Sequence, residues 1–175
     1  MSDPIYVLAS LPRSGTHSMC AMADLCGIRS RHVCHNLTRD LRRGFRFFAD
    51  TPFYSPEYLL ALHDMGLDLR VLYTTRPLAD IELSYDRTGL RDYKRECRFE
   101  DMTSRVEISD ALCWAGVRDP EWRAAHRTRV ESMCRALRIP FLAYDPASGW
   151  EPFCSFVSRT VPAVPVPMIP NKLSN

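Results

Sequence analysis

The sequence predicts an α/β fold of three α/β/α layers, with a central parallel sheet of about four to five strands, in a single domain over residues 1–175. Three observations predict it. Short apolar runs alternate with segments of helical periodicity, the pattern of strands joined by crossover helices. The first run passes through a tight turn, Leu11-Pro12-Arg13-Ser14-Gly15-Thr16, straight into a helix. Two basic residues, Arg13 and Arg76, follow apolar runs, and right-handed crossovers bring both to the carboxyl edge of the sheet, where such folds bind ligands.

The elements follow in order. Residues 5–9 form an apolar run suited to a central strand covered on both faces. Residues 16–26 carry Met19, Cys20, Met22, Ala23 and Cys26 at helical spacing, and Gly27 stops the helix. Residues 28–33 read as an edge strand because of their arginines, and residues 45–50 as a short strand ending at Asp50. Ser55-Pro56-Glu57 opens a helix, with Ser as cap, Pro at the first position and an acid in the first turn. That helix should turn Tyr58, Leu59, Leu62 and Met65 inward and end at Gly66. Residues 69–75 are the clearest strand after the first, ahead of a helix over 78–87.

The polar stretch 88–104 has few apolar residues to pin it and reads as a flap or insertion, followed by a helix over 106–114. Asp119-Pro120-Glu121 opens a stronger helix carrying Trp122, Ala125, Val130, Met133, Cys134 and Leu137. A buried strand over 139–144 and a helix over 150–157 precede a Pro-rich tail that regular structure cannot accommodate. Trp114, Trp122 and Trp150 are read as packing residues.

Composition narrows the function. Hydrophobic residues make up 46% and charged residues 25%, an ordinary globular balance. A net charge of +2 gives no reason to expect nucleic acid. Arginines cluster at 29, 31, 39, 42, 43 and 46, which reads mostly as a solvated surface. The seven cysteines form no C-x-x-C pair and no zinc-spaced cluster, so a reducing, cytoplasmic setting without a metal is expected. Neither a signal-peptide pattern nor about 18 consecutive apolar residues occur, and no membrane association is expected.

The strand-turn-helix at Arg13 aims backbone N–H groups and a positive helix end at one point, which suits a phosphate or sulfate. The nucleoside-triphosphate loop G-x-x-x-x-G-K-[ST] is not matched, because Gly15 is followed by Thr16-His17 and the basic residue precedes the glycine. The segment Leu11 to Thr16 instead resembles the P-[KR]-[ST]-G-T loop of sulfotransferases, which binds the 5′-phosphosulfate of 3′-phosphoadenosine 5′-phosphosulfate (PAPS). Arg76, Asp80 and Ser84 resemble the family's R-x-P-x-D-x-x-x-S element, with Pro77 shifted by one position. Gly149-Trp150-Glu151-Pro152-Phe153-Cys154 and the Pro-rich run to Asn171 are similar to the C-terminal segment of a compact bacterial-type subfamily. The family's G-x-x-G-x-x-K element is absent.

The resemblance implies a P-loop-like sulfotransferase that moves a sulfuryl group from PAPS to a hydroxyl or amine of a small molecule, releasing 3′-phosphoadenosine 5′-phosphate (PAP) without a metal. It implies that Arg13 faces the bridging oxygen, that Ser14, Gly15, Thr16, His17 and Ser18 hold the phosphosulfate, and that Arg76 and Ser84 grip the 3′-phosphate. The acceptor needs a general base, for which His35 and then Asp50 are the candidates, while His17 could contact the donor. Two competing readings are a nucleotide or small-molecule kinase with a degenerate loop, and a non-catalytic nucleotide-binding protein of the same fold. The acceptor and the oligomeric state are not legible in the sequence.

Overall fold

A computed structural model describes residues 3–34, 36–50, 52–74, 76–88 and 119–168. Their strands are β1 (Ile5–Leu8), β2 (Ser30–Arg31), β3 (Phe47–Ala49), β4 (Leu69–Thr74) and β5 (Phe141–Tyr144). The helices are α1 (Thr16–Leu25), α2 (Leu37–Arg42), α3 (Pro56–Asp64), α4 (Leu78–Thr88), α5 (Pro120–Leu137) and α6 (Trp150–Val157), with a 3₁₀ turn at Pro146–Ser148. The five strands make one parallel sheet in the order β2-β3-β1-β4-β5. The expected three-layer α/β architecture is therefore the observed one.

Strand periodicity sorts the core into two faces. Ile5, Val7 and Ala9 point into a cluster with Leu59 and Leu62 of α3 and Val130 and Cys134 of α5. Tyr6 and Leu8 point the other way, against Met19, Met22 and Ala23 of α1 and Phe153 and Val157 of α6. β1 is central, and Val7 pairs with Phe48 on one side and Val71 on the other. Connections run outward from β1 in both directions, so the loop after it lies at the topological switch point of the sheet.

Several local features explain the element boundaries. Ser55 Oγ accepts from the Tyr58 N–H at 3.3 Å, and Asp119 Oδ1 accepts from the Glu121 N–H at 2.9 Å. Each cap contributes about 1 kcal/mol to its helix. Met65, expected inward, is 38% exposed because α3 ends at Asp64 and Met65 is only its cap. Helix α2 was not expected: Asn36 caps it through the Arg39 N–H, and buried Asp40 holds it to Arg31 of β2.

Within the arginine cluster, Arg29 and Arg31 lie over the Phe45 ring, and Arg46 Nη1 donates to the carbonyls of Leu41 and Phe45. These arginines stitch the β2–α2–β3 connection. The helix α6 spans the expected residues, and Trp150 Nε1 donates to the Val164 carbonyl at 2.6 Å, holding the proline-rich tail against it. The expected flap over 88–104 and helix over 106–114 fall, beyond Thr88, outside the described residues. Among the described residues no helix is long and apolar enough to cross a membrane, and the five described cysteines are free thiols.

Candidate active site

The loop after β1 is closed by its own serine. Ser14 Oγ donates to the Leu11 carbonyl at 2.6 Å, and the Ser14 N–H reaches the same oxygen at 3.3 Å. Arg13 and Gly15 both sit in the left-handed region, at φ 69° and 95°. For Arg13 this is a strained backbone that the surroundings must hold in place. Gly15 starts α1 without a side-chain cap, and the first turn carries no acid. The positive end of α1 thus carries no carboxylate of its own first turn, and among the described residues nothing lies within 4 Å of where a Cβ on Gly15 would sit.

The last residue of β4 fixes this loop. Thr74 Oγ1 donates to the Ser14 carbonyl at 2.9 Å and lies 2.8 Å from Ser10 Oγ, which in turn accepts from the Thr74 N–H at 2.6 Å. All three residues are buried. Arg76 follows, and its Nη1 donates to the Arg13 carbonyl at 2.7 Å while its Nε faces Asp80 at 3.9 Å. Arg13 Nε reaches across to Ser84 Oγ on α4 at 3.0 Å. The two arginines and the serine that the sequence singled out are therefore one connected group.

A second group lies on the β2–β3 flank of the loop. His32 directly follows β2 and Asp50 directly follows β3, the latter with φ 64°. His32 Nε2 is 2.8 Å from Thr16 Oγ1 and 3.3 Å from Asp50 Oδ2, and its ring stacks on His17 at 3.6 Å between centroids. Burial holds the His32 pKa below the ordinary imidazole value; Asp50 opposes this, whereas His17 and Arg13 reinforce it. A carboxylate facing Nε2 favours the tautomer with its proton there, which leaves Nδ1 as the basic nitrogen.

The opposite flank holds a pocket of about 440 Å³ between α4 and α5. Leu11, Tyr73, Pro77 and Ile81 give it apolar walls, and Arg76, Arg127 and Asp145 give it charge. Arg123, buried at its edge, is paired with Glu82. Behind the pocket, His126 is fully buried between Tyr73 OH at 3.0 Å from Nδ1 and the Tyr54 carbonyl at 2.6 Å from Nε2. Burial pushes its pKa down to about 4, so it is a neutral strut that locks α5 to β4 and to the loop before α3.

Of the residues expected from the sequence, Arg13, Ser14, Gly15, Thr16, His17, Ser18, Arg76, Ser84 and Asp50 all lie along the carboxyl edge of the sheet. His35 lies outside the described residues. His32, Thr74 and Arg127 were missed. One signal could have found His32: like Arg13, Asp50 and Arg76, it stands just beyond the carboxyl end of a strand. Among the described residues no three or more His, Cys, Asp or Glu side chains are gathered as metal ligands.

In comparison with known families, residues 118–173 match the sulfotransferase domain family. No curated protein matches the chain. The matched segment contributes α5, β5, α6 and the tail, and so supplies Arg123, Arg127 and Asp145 to the pocket, while the Arg13 loop lies outside it. The match supports sulfotransfer, in general terms, as the activity.

Proposed function

From the sulfotransferase match and the site together, we propose that this chain moves a sulfuryl group from PAPS to a hydroxyl or amine of a small-molecule acceptor. The observation that carries this reading is the connected group of Arg13, Arg76 and Ser84 beside a helix start whose cap residue is Gly15 and whose first turn has no acid. A kinase loop would instead present a lysine after the glycine, and Thr16 occupies that position.

In this reading the N–H groups of the first turn of α1 hold the phosphosulfate oxygens, and Arg13 faces the bridging oxygen where negative charge grows. The pocket on the β4–β5 flank takes the adenosine 3′-phosphate, with Arg76 and Arg127 of its lining as donors, and Ser84 completes the grip on that phosphate as the resemblance implies. Its apolar walls and volume suit a nucleoside. The acceptor then approaches from the β2–β3 flank, where Asp50 stands; His35 is the other base expected from the sequence. Catalysis rests on in-line positioning and on cations aimed at the leaving oxygen.

The test is transfer of radiolabelled sulfate from PAPS across a panel of alcohols, phenols and amines. Labelled ester or sulfamate is the expected product. Binding of ATP and magnesium that PAPS does not displace would favour the kinase reading instead. Turnover that survives Arg13→Ala at the wild-type rate would sink the proposed role of the loop.

A further inference from the structure

The sequence offered His35 and Asp50 as bases, but a different histidine is built into the site. His32 is held from three sides: Thr16 Oγ1 at 2.8 Å, Asp50 Oδ2 at 3.3 Å and the His17 ring at 3.6 Å. Thr16 is the first residue of α1, so His32 is one hydrogen bond away from the phosphosulfate loop. A quarter of the His32 side chain remains exposed, enough for a small molecule to reach it. Asp50 is fixed in the left-handed region directly after β3, which turns its carboxylate sideways onto the imidazole.

We propose that His32 is the proton acceptor for the acceptor hydroxyl or amine, with Asp50 as the carboxylate that fixes its tautomer. The inference rests on the sulfotransferase reading above and names the base of that same site. Asp50 keeps the proton of neutral His32 on Nε2, so the Nδ1 lone pair takes the acceptor proton. The acceptor O–H bond breaks as its oxygen forms the new bond to sulfur. The bridging S–O bond breaks, and its electron pair leaves on the 5′-phosphate oxygen of PAP, which Arg13 faces. The imidazolium that remains lies beside the Asp50 carboxylate until it loses the proton to solvent. The charges that act on His32 are Asp50, His17 and Arg13, so the pair is readable by titration.

His32→Gln separates this role from mere positioning. The Gln amide reproduces an N–H toward Thr16 and Asp50 and has no basic nitrogen. With radiolabelled PAPS, the acceptor panel and transfer to water read in the same tubes, His32→Gln should lose about 10²–10⁴-fold in kcat. Its affinity for PAP should stay within about threefold, and the acid limb of its rate profile should vanish. Asp50→Asn, which tolerates the same left-handed backbone, should move that limb to lower pH, because the carboxylate raises the His32 pKa.

A His32→Gln variant that keeps wild-type turnover and its acid limb overturns the proposal. So does loss of the limb in His35→Gln with its retention in His32→Gln. A wild-type protein that binds PAP and transfers nothing, even to water, overturns the sulfotransferase reading and this inference with it.

Discussion

Arg13 Nε donates to Ser84 Oγ at 3.0 Å across 71 residues of chain, and the carbonyl of the same Arg13 accepts from Arg76 at 2.7 Å. The loop and the β4–α4 junction are therefore tied into one unit, which in the proposed function grips the donor's anionic groups. Hydrogen bonds to charged groups are worth about 1.5–3 kcal/mol, so Arg76→Ala should weaken PAP binding about 10- to 100-fold. Ser84→Ala should weaken it by about tenfold on the same reasoning. Calorimetric titration of the single and double variants checks this, and the double loss should be smaller than the sum.

Thr74 should matter for stability as well as binding. Thr74→Val removes a hydroxyl that bridges Ser10 and the Ser14 carbonyl in a fully buried place. Leaving those groups unpaired costs about 1–3 kcal/mol. Urea unfolding should give a lower midpoint with an unchanged slope, and PAP should restore less stability than in the wild type.

Gly15→Ala tests conformation without a clash. Among the described residues an added Cβ meets nothing within 4 Å, but the residue stands at φ 95°. The strain of a left-handed L-residue, about 1–2 kcal/mol, should appear as a lower melting temperature and as a weakened loop for PAP. Unchanged values of both would contradict the assigned backbone.

The fully buried His126 should give the fold an acid sensitivity of its own. Its pKa is about 4 in the folded protein and 6.5 when unperturbed. Above pH 6.5 neither state holds the proton, so nothing is lost there. Between pH 6.5 and 4 the unfolded chain binds a proton that the folded one refuses, and stability falls by up to about 3 kcal/mol. In His126→Gln, which retains a donor and an acceptor, unfolding curves between pH 4 and 7 should show a slope smaller by about one proton.

Much of the fold was legible because it rests on strong local chemistry. The Ser55-Pro56-Glu57 and Asp119-Pro120-Glu121 openings cap the helices they announce, and the apolar runs at Ile5 and Leu69 are the central strands. Helix α2 escaped notice because six residues give no periodicity to read. Its stability comes from Asp40 meeting Arg31 and from the Asn36 cap.

The loop and Arg76 were legible through type and spacing within single segments. His32 was not, since its meaning comes from Thr16, 16 residues earlier, and from Asp50 just beyond the neighbouring strand. Arg127 is similar: only the packing of α5, locked by His126, brings it to the pocket of Arg76.

The most direct measurement is a calorimetric titration with PAP, set against ATP with magnesium. The account predicts micromolar binding of PAP that Arg13→Ala and Arg76→Ala each weaken at least tenfold, a loss of about 1.4 kcal/mol or more. It also predicts that ATP with magnesium competes poorly. No heat with millimolar PAP, or ATP binding that PAP leaves untouched, would contradict it.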